Sequence, residues 1–499
     1  MPASPYQQLE EEFRRLHALR GALSLLRWDA AVMMPPGSAE VRGVQQAAIE
    51  TECHALLCAP KVSRLIERAQ AGASGLEDWQ VANLREMRRE RDHAIATPPS
   101  LIARLARATT RAEAAWVEAR RAGTYSTLAP HLEEVLRLVR DKAALLGQHL
   151  NLAPYDALVD EFSPGITIAE IDGLFRALAR RLPSLVREAL ELQAKRPPLP
   201  VTGKFAASKQ KALAVDVMKA IGFPFNAGRL DESEHPFTEG GAGDLRVTTR
   251  FEPADPFAGL LGALHETGHA MYDLGLPQPW RDQPVGRDRG MALEESQSLM
   301  LEMVIGRSRG FVRYLKPLLE KHYGVSGPEW EVENVYRTLI QVRRGLIRVD
   351  ADELTYPAHI MMRYELEKQI FAGDLKAADL AEAWNAAAAE RLGQRPSNDM
   401  EGCLQDIHWA VGSFGYFPAY GIGALVAEQL AEQLKADREH LEDELAAGQF
   451  GGLLGWLREN VHSLGGKLPL QELVKQATGK PLSAAPALRY LEAKYLEPA

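Results

Sequence analysis

The sequence predicts a mainly α-helical protein interrupted by one short antiparallel hairpin, and three observations predict it. Apolar residues recur at three- and four-residue spacing over most of the 499 positions, the mark of amphipathic helices. Ala, Leu, Glu, Arg and Gln, all good helix formers, dominate those stretches. Strict alternation of apolar and polar residues occurs in one region only, inside 231–251.

Leu9, Phe13 and Leu16 begin the first stripe, and Leu174, Leu178, Leu182 and Leu185 continue the pattern further on. Pro98-Pro99, Pro197-Pro198 with Pro200, and Pro396-Ser397-Asn398 read as interhelical turns. The 195–200 segment, KRPPLP, is the best candidate boundary, between a helical N-terminal part of about 1–200 and a core of about 231–425. Composition does not change across it, so one unit over 1–499 is expected. Gly240-Gly241 permits a turn, after which Leu245, Val247, Thr249 and Phe251 share one face, with Arg246, Thr248 and Arg250 on the other. That period of two is a strand, the second arm of a hairpin. Asp255 then suits an N-cap, Pro256 the first helical position, and Gly275 with Pro277 a stop. A strand therefore leads straight into a helix over about 256–274.

Composition excludes several functions. A net charge of −9 is the wrong sign for a general nucleic-acid binder. No apolar run approaches the ~18 residues that cross a bilayer, and the first residues lack a basic-then-apolar leader. Three cysteines cannot staple a chain of this size, which points to a reducing, cytoplasmic setting. Cys53 and Cys58, with His54 between them, read as buried thiols rather than a second metal site.

The chemistry sits on the predicted helix. Residues 265–269 read His265-Glu266-Thr267-Gly268-His269, and four residues of helix bring both imidazoles onto one face, where they can share one ion. Glu266 projects about 100° away, able to reach a metal-activated water without being a ligand. Composition predicts only ~0.05 chance matches to this pattern. Zinc bound by such donors lowers the pKa of a water to about 7. A third ligand is required. Asp273 is available one turn further along, but the stretch 291–306, with Glu294, Glu295 and Glu302 among Leu293, Leu299, Met300, Met303 and Val304, is the better source. Acids in so apolar a helix need a partner, and spacing alone does not choose among them.

These motifs resemble the carboxypeptidase Taq family of zinc metallocarboxypeptidases, and the resemblance extends over nearly the whole chain. Leu26-Arg27-Trp28-Asp29, then Met34-Pro35 and Arg42, are similar to its N-terminal signature. His235-Pro236-Phe237 matches its HPF element, and 244–248, DLRVT, its DxRxT element. After the pentad, 347–352 (IRVDAD) matches IRxxAD, and 402–409 (GCLQDIHW) matches GxxQDxHW. The resemblance implies an elongated helical zincin, related to thermolysin and neurolysin, with a deep active-site groove. It implies a homodimer with one Zn2+, or Co2+, per subunit, acting on peptides with a free C-terminus. It also implies Glu295 as third ligand, from an H-E-S-Q element that here reads Glu294-Glu295-Ser296-Gln297; Glu294 stands where the family usually has histidine.

The expected reaction is removal of C-terminal residues with broad specificity, with Glu266 as general base. Tyr420, or with equal claim to a mere packing role Tyr416, resembles the oxyanion-stabilising tyrosines of related peptidases. Arg348 and Arg246 are candidates for the terminal carboxylate, unless Asp350 or Asp352 takes Arg348 as a structural ion pair. The strand bearing Arg246 could also pair with an extended peptide. His235 and His408 are expected to line the site. An endopeptidase on the same scaffold, or a peptide-binding protein with a structural metal, are the rival readings.

Overall fold

Reciprocal capping boxes start two of the long helices. In the computed structural model, which describes residues 3–496, Ser4 and Gln7 form a reciprocal capping box on the Pro5–Val32 helix. Thr167 and Glu170 do the same for Ile168–Ala194. Each box satisfies two backbone donors that a helix start leaves unpaired. The described residues form twenty α-helices and one small sheet, the mainly α architecture expected. None of these helices is long and apolar enough to cross a membrane.

The apolar stripes close two cores. Leu9, Phe13 and Leu16 are fully buried and join Leu65 and Met87 in a core made by residues 6–87. The main core extends from Leu101 to Tyr495 and passes from Leu185 to Phe205 across the 195–200 segment. Buried polar ties join the two. Arg289 pairs with Glu86 at 2.9 Å, Arg287 with Glu90 at 2.8 Å, and Asn83 donates to Gln283 at 3.3 Å.

The sheet adds a strand to the hairpin. Strand β1 (Gly228–Glu232) runs parallel to β3 (Asp244–Thr249), and β2 (Thr238–Gly241) runs antiparallel to it, in the order β1-β3-β2. Leu245, Val247 and Thr249 are buried as the alternation requires. Thr248 is buried too, because its hydroxyl is shared with Ser233 Oγ (2.7 Å) and the backbone N–H of Phe237 (3.0 Å). The chain reverses at Ala242-Gly243, just beyond the glycine pair. Gly240 has φ +104°, and a Cβ there would lie 1.9 Å from the Asp244 carbonyl oxygen, so no other residue fits.

Two glycines set how closely the helices of the site approach. A Cβ on Gly268, inside the pentad, would lie 2.5 Å from the Gln297 carbonyl oxygen and from Ser298 Cα. A Cβ on Gly423, in the Phe417–Asp437 helix, would lie 2.8 Å from Glu295 Cβ. Both absences let backbones touch around the helix that carries Glu295, which is why the three helices converge on one point. Gly268→Ala is therefore expected to cost about 1–3 kcal/mol by overpacking, read as a lower denaturant midpoint at unchanged m-value.

Candidate active site

The pentad helix spans Ala258–Gly275. Its N-cap is Phe257, two residues later than expected; Asp255 precedes it, its Oδ1 accepting from the N–H groups of Phe257 (2.8 Å) and Ala258 (3.0 Å). The next helix is α-helical over Met291–Leu299 and widens to a π-helix over Met300–Ile305, a change of pitch frequent at functional sites. Between them, His265, His269 and Glu295 each present one donor atom, all within 4.8 Å of one another. His265 Nε2 lies 3.7 Å from Glu295 Oε2. Metal bonds near 2.1 Å place tetrahedral donors roughly 3.4 Å apart, so this set fits a single ion. Asp273 lies outside it.

Charge at the centre also suits a cation. Glu266 and Glu295 are buried, and Glu294 and Glu302 line the same cleft. Burial opposes protonation of His265, yet Glu302, Glu266 and Glu295 outweigh it and raise the imidazole to about 9. A divalent cation held by the same imidazole would satisfy these carboxylates. Glu302, weighed from sequence as a ligand, instead accepts from His265 Nδ1 at 3.0 Å and is held by Arg307 at 2.9 Å. That is the carboxylate–histidine pairing which fixes a ligand's tautomer. Sequence reading missed Arg307 altogether; an arginine two residues past an apolar stretch carries no signal by itself.

Glu266 is buried, and Thr238 Oγ1 donates to its Oε2 at 2.7 Å and to its backbone oxygen at 3.0 Å. Burial pushes the carboxyl up to about 7, against the opposing pull of His265 and Thr238. Thr238 lies on β2, so the hairpin holds the side chain beside His265, His269 and Glu295.

The cleft encloses about 1350 Å³. Tyr416, Tyr420, Arg348 and Tyr356 form part of its wall, and exposed His235 lies at its edge. Tyr356 was not foreseen. Burial raises the Tyr420 hydroxyl well above its ordinary value and so keeps it a donor at neutral pH. His408 stands behind the tyrosines. Its ring packs 4.6 Å from Phe417, its Nε2 is 3.5 Å from the Tyr420 hydroxyl, and burial lowers it to about 4, leaving it neutral.

The two arginines part company. Arg348 lines the cleft, with its guanidinium 5.1 Å from the Tyr420 ring, and its counter-ion is neither Asp350 nor Asp352. Asp406 accepts from Arg348 Nε at 2.9 Å and from Arg363 Nε at 2.7 Å. Asp352 instead accepts from Leu354, Thr355 and Arg343 backbone N–H groups. Arg246 does not reach the cleft. It pairs with Asp244 at 2.5 Å and stacks 4.3 Å over Trp28, because the Pro5–Val32 helix covers that face of the sheet. Peptide pairing along β3 is also ruled out, since β1 and β2 occupy both its edges.

Comparison with known proteins agrees with this geometry. The family model described as carboxypeptidase Taq (M32) metallopeptidase matches residues 8–495. The chain is 36% identical over 507 residues to thermostable carboxypeptidase 1 of Thermus thermophilus, covering 99% of each. It is 35% identical over 495 residues to thermostable carboxypeptidase 1 of Pyrococcus furiosus, covering 98% of each. Among solved structures, Trypanosoma cruzi metallocarboxypeptidase 1 superposes with a TM-score of 0.96 at 37% identity over 99% of both chains. Likeness that holds from end to end, in sequence and in fold alike, places the chain in the carboxypeptidase Taq (M32) family, as a metallocarboxypeptidase.

Proposed function

We propose that the protein releases single residues from the free C-terminus of peptides, with broad specificity, using Glu266 as the general base. One observation carries this reading: the His265–His269–Glu295 donor group, Glu266, Tyr420 and Arg348 all face a single cleft. Held by those three ligands, one Zn2+ per subunit, or Co2+ in its place, supplies Lewis-acid polarisation of the scissile carbonyl and an acidified water. Glu266 takes a proton from the attacking water and delivers it to the leaving amine; a carboxyl near 7 can do both close to neutral pH. The Tyr420 hydroxyl donates to the developing oxyanion, with Tyr416 beside it against the substrate. Arg348 receives the terminal carboxylate through its remaining N–H groups, and His235 contacts the peptide at the edge. His408 steadies Tyr420 from behind. Leu299, Met303, Leu339, Thr338 and Gln341 all line the cleft, a mixture of apolar and polar side chains in keeping with broad specificity. The active form is a cytoplasmic homodimer, each chain one catalytic unit. Cys53, Cys58 and Cys403 are unpaired, in keeping with a reducing compartment.

The test is a free-acid peptide beside its C-terminal amide, followed by mass spectrometry with the metal-loaded protein. Stepwise loss of residues from the free acid alone supports the proposal; internal cleavage of both would make the protein an endopeptidase. Arg348→Gln is expected to lower kcat/KM for the free acid by about tenfold or more.

A further inference from the structure

The two imidazoles of the metal group are not supported alike. His265 hands its Nδ1 to Glu302, which Arg307 holds in place. His269 is more deeply buried, and its Nδ1 is enclosed without a hydrogen-bond partner among the described residues. What faces that atom is Glu294, whose Oε1 lies 3.5 Å away. Glu294 immediately precedes the third donor, Glu295, on the same helix and lines the same cleft. A histidine that binds a metal through one nitrogen presents an N–H on the other, and a carboxylate there orients the ring and strengthens it as a ligand.

We propose that Glu294 is the positioning carboxylate of His269, so that each imidazole is backed by an acid: Glu302 behind His265 and Glu294 behind His269. The inference rests on the metal site proposed above. In this role Glu294 fixes which nitrogen of His269 points to the ion; burial, Asp288, Asp273 and Glu295 favour its protonated form, and a cation at the donor set would favour its ionised one. The site should therefore hold a divalent cation more tightly than His265, His269 and Glu295 would without it.

Metal affinity reads this directly. Zn2+ and Co2+ would be competed against a chromophoric chelator for the wild type, Glu294→Gln, Glu294→Ala and Glu295→Ala. The Co2+ absorption spectrum reports ligand number, and melting of the metal-free proteins reports the fold. Glu294→Ala is expected to bind about 10–100-fold more weakly with an unchanged Co2+ spectrum. Glu294→Gln, which keeps an acceptor oxygen and loses the charge, should fall between. Should the alanine variant fail to fold, the glutamine variant decides by the same criterion. Wild-type affinity in the Glu294 variants overturns the proposal, as does a change in Co2+ band intensity, which would make Glu294 a ligand. Glu295→Ala separates this from the underlying reading. If it retains metal, the ligand set itself is wrong; if it loses metal while Glu294→Ala does not, only the role of Glu294 falls.

Discussion

Glu266→Gln is expected to lower kcat for peptide hydrolysis by about 10²–10⁴-fold and to leave the metal site occupied. The amide keeps the shape of the side chain, and its oxygen can still accept from Thr238, whose hydroxyl holds the native carboxylate at 2.7 Å. What it loses is the capacity to take a proton. The proposed metal donors are His265, His269 and Glu295, so metal stoichiometry should stay at one per chain. Stability should not fall. Burial raises the Glu266 carboxyl to about 7, so its ionised form costs folding energy as the pH rises from its unfolded value near 4.3 through 7. The neutral amide removes that cost, and the metal-free variant should melt at or above the metal-free wild type at pH 8. A variant retaining more than a tenth of wild-type kcat with metal bound would sink the base assignment.

Asp406→Asn should produce the largest loss of stability, about 3–5 kcal/mol. Asp406 is buried between Arg348 and Arg363, whose side chains are 10% and 0% exposed. Removing its charge strands two buried cations. Burial by itself would raise this carboxyl, but Arg363 and Arg348 outweigh it and hold the group well below the ordinary carboxylate range. For a depressed acid the stabilisation is fully present above the unfolded value near 3.9 and is lost as pH falls through the folded value. The wild-type advantage over Asp406→Asn should therefore be constant from pH 5 to 7 and shrink only in strong acid. Chemical denaturation at pH 7 and at pH 3 measures both arms. An equal midpoint at pH 7 would mean that Arg348 and Arg363 find other partners.

The same ion pair shows why part of the site was unreadable. Arg348 sits two residues from Asp350 and four from Asp352, and adjacency favours those acids; its real counter-ion lies 58 residues away. Glu302 meets His265 across 37 residues and through a π turn, and Thr238 meets Glu266 across 28. No periodicity encodes such separations. Arg246 illustrates the opposite error, since it lies inside a recognisable motif yet serves the contact between the sheet and Trp28. The hairpin was legible from alternation, but not its parallel neighbour β1, whose pairing with β3 depends on a long-range approach rather than a turn.

Sequence by itself determined whatever one or two helical turns can encode. The pentad places His265 and His269 on one face because 3.6 residues make a turn, and alternation makes β3 a strand. Motif order named the family, and within it the third donor, Glu295. Only the tertiary structure decided that Glu302 meets His265, which arginine faces the cleft, and what holds Glu266. Those answers depend on how closely three helices and a hairpin approach, which glycines at 268 and 423 permit and which packing of the whole chain sets.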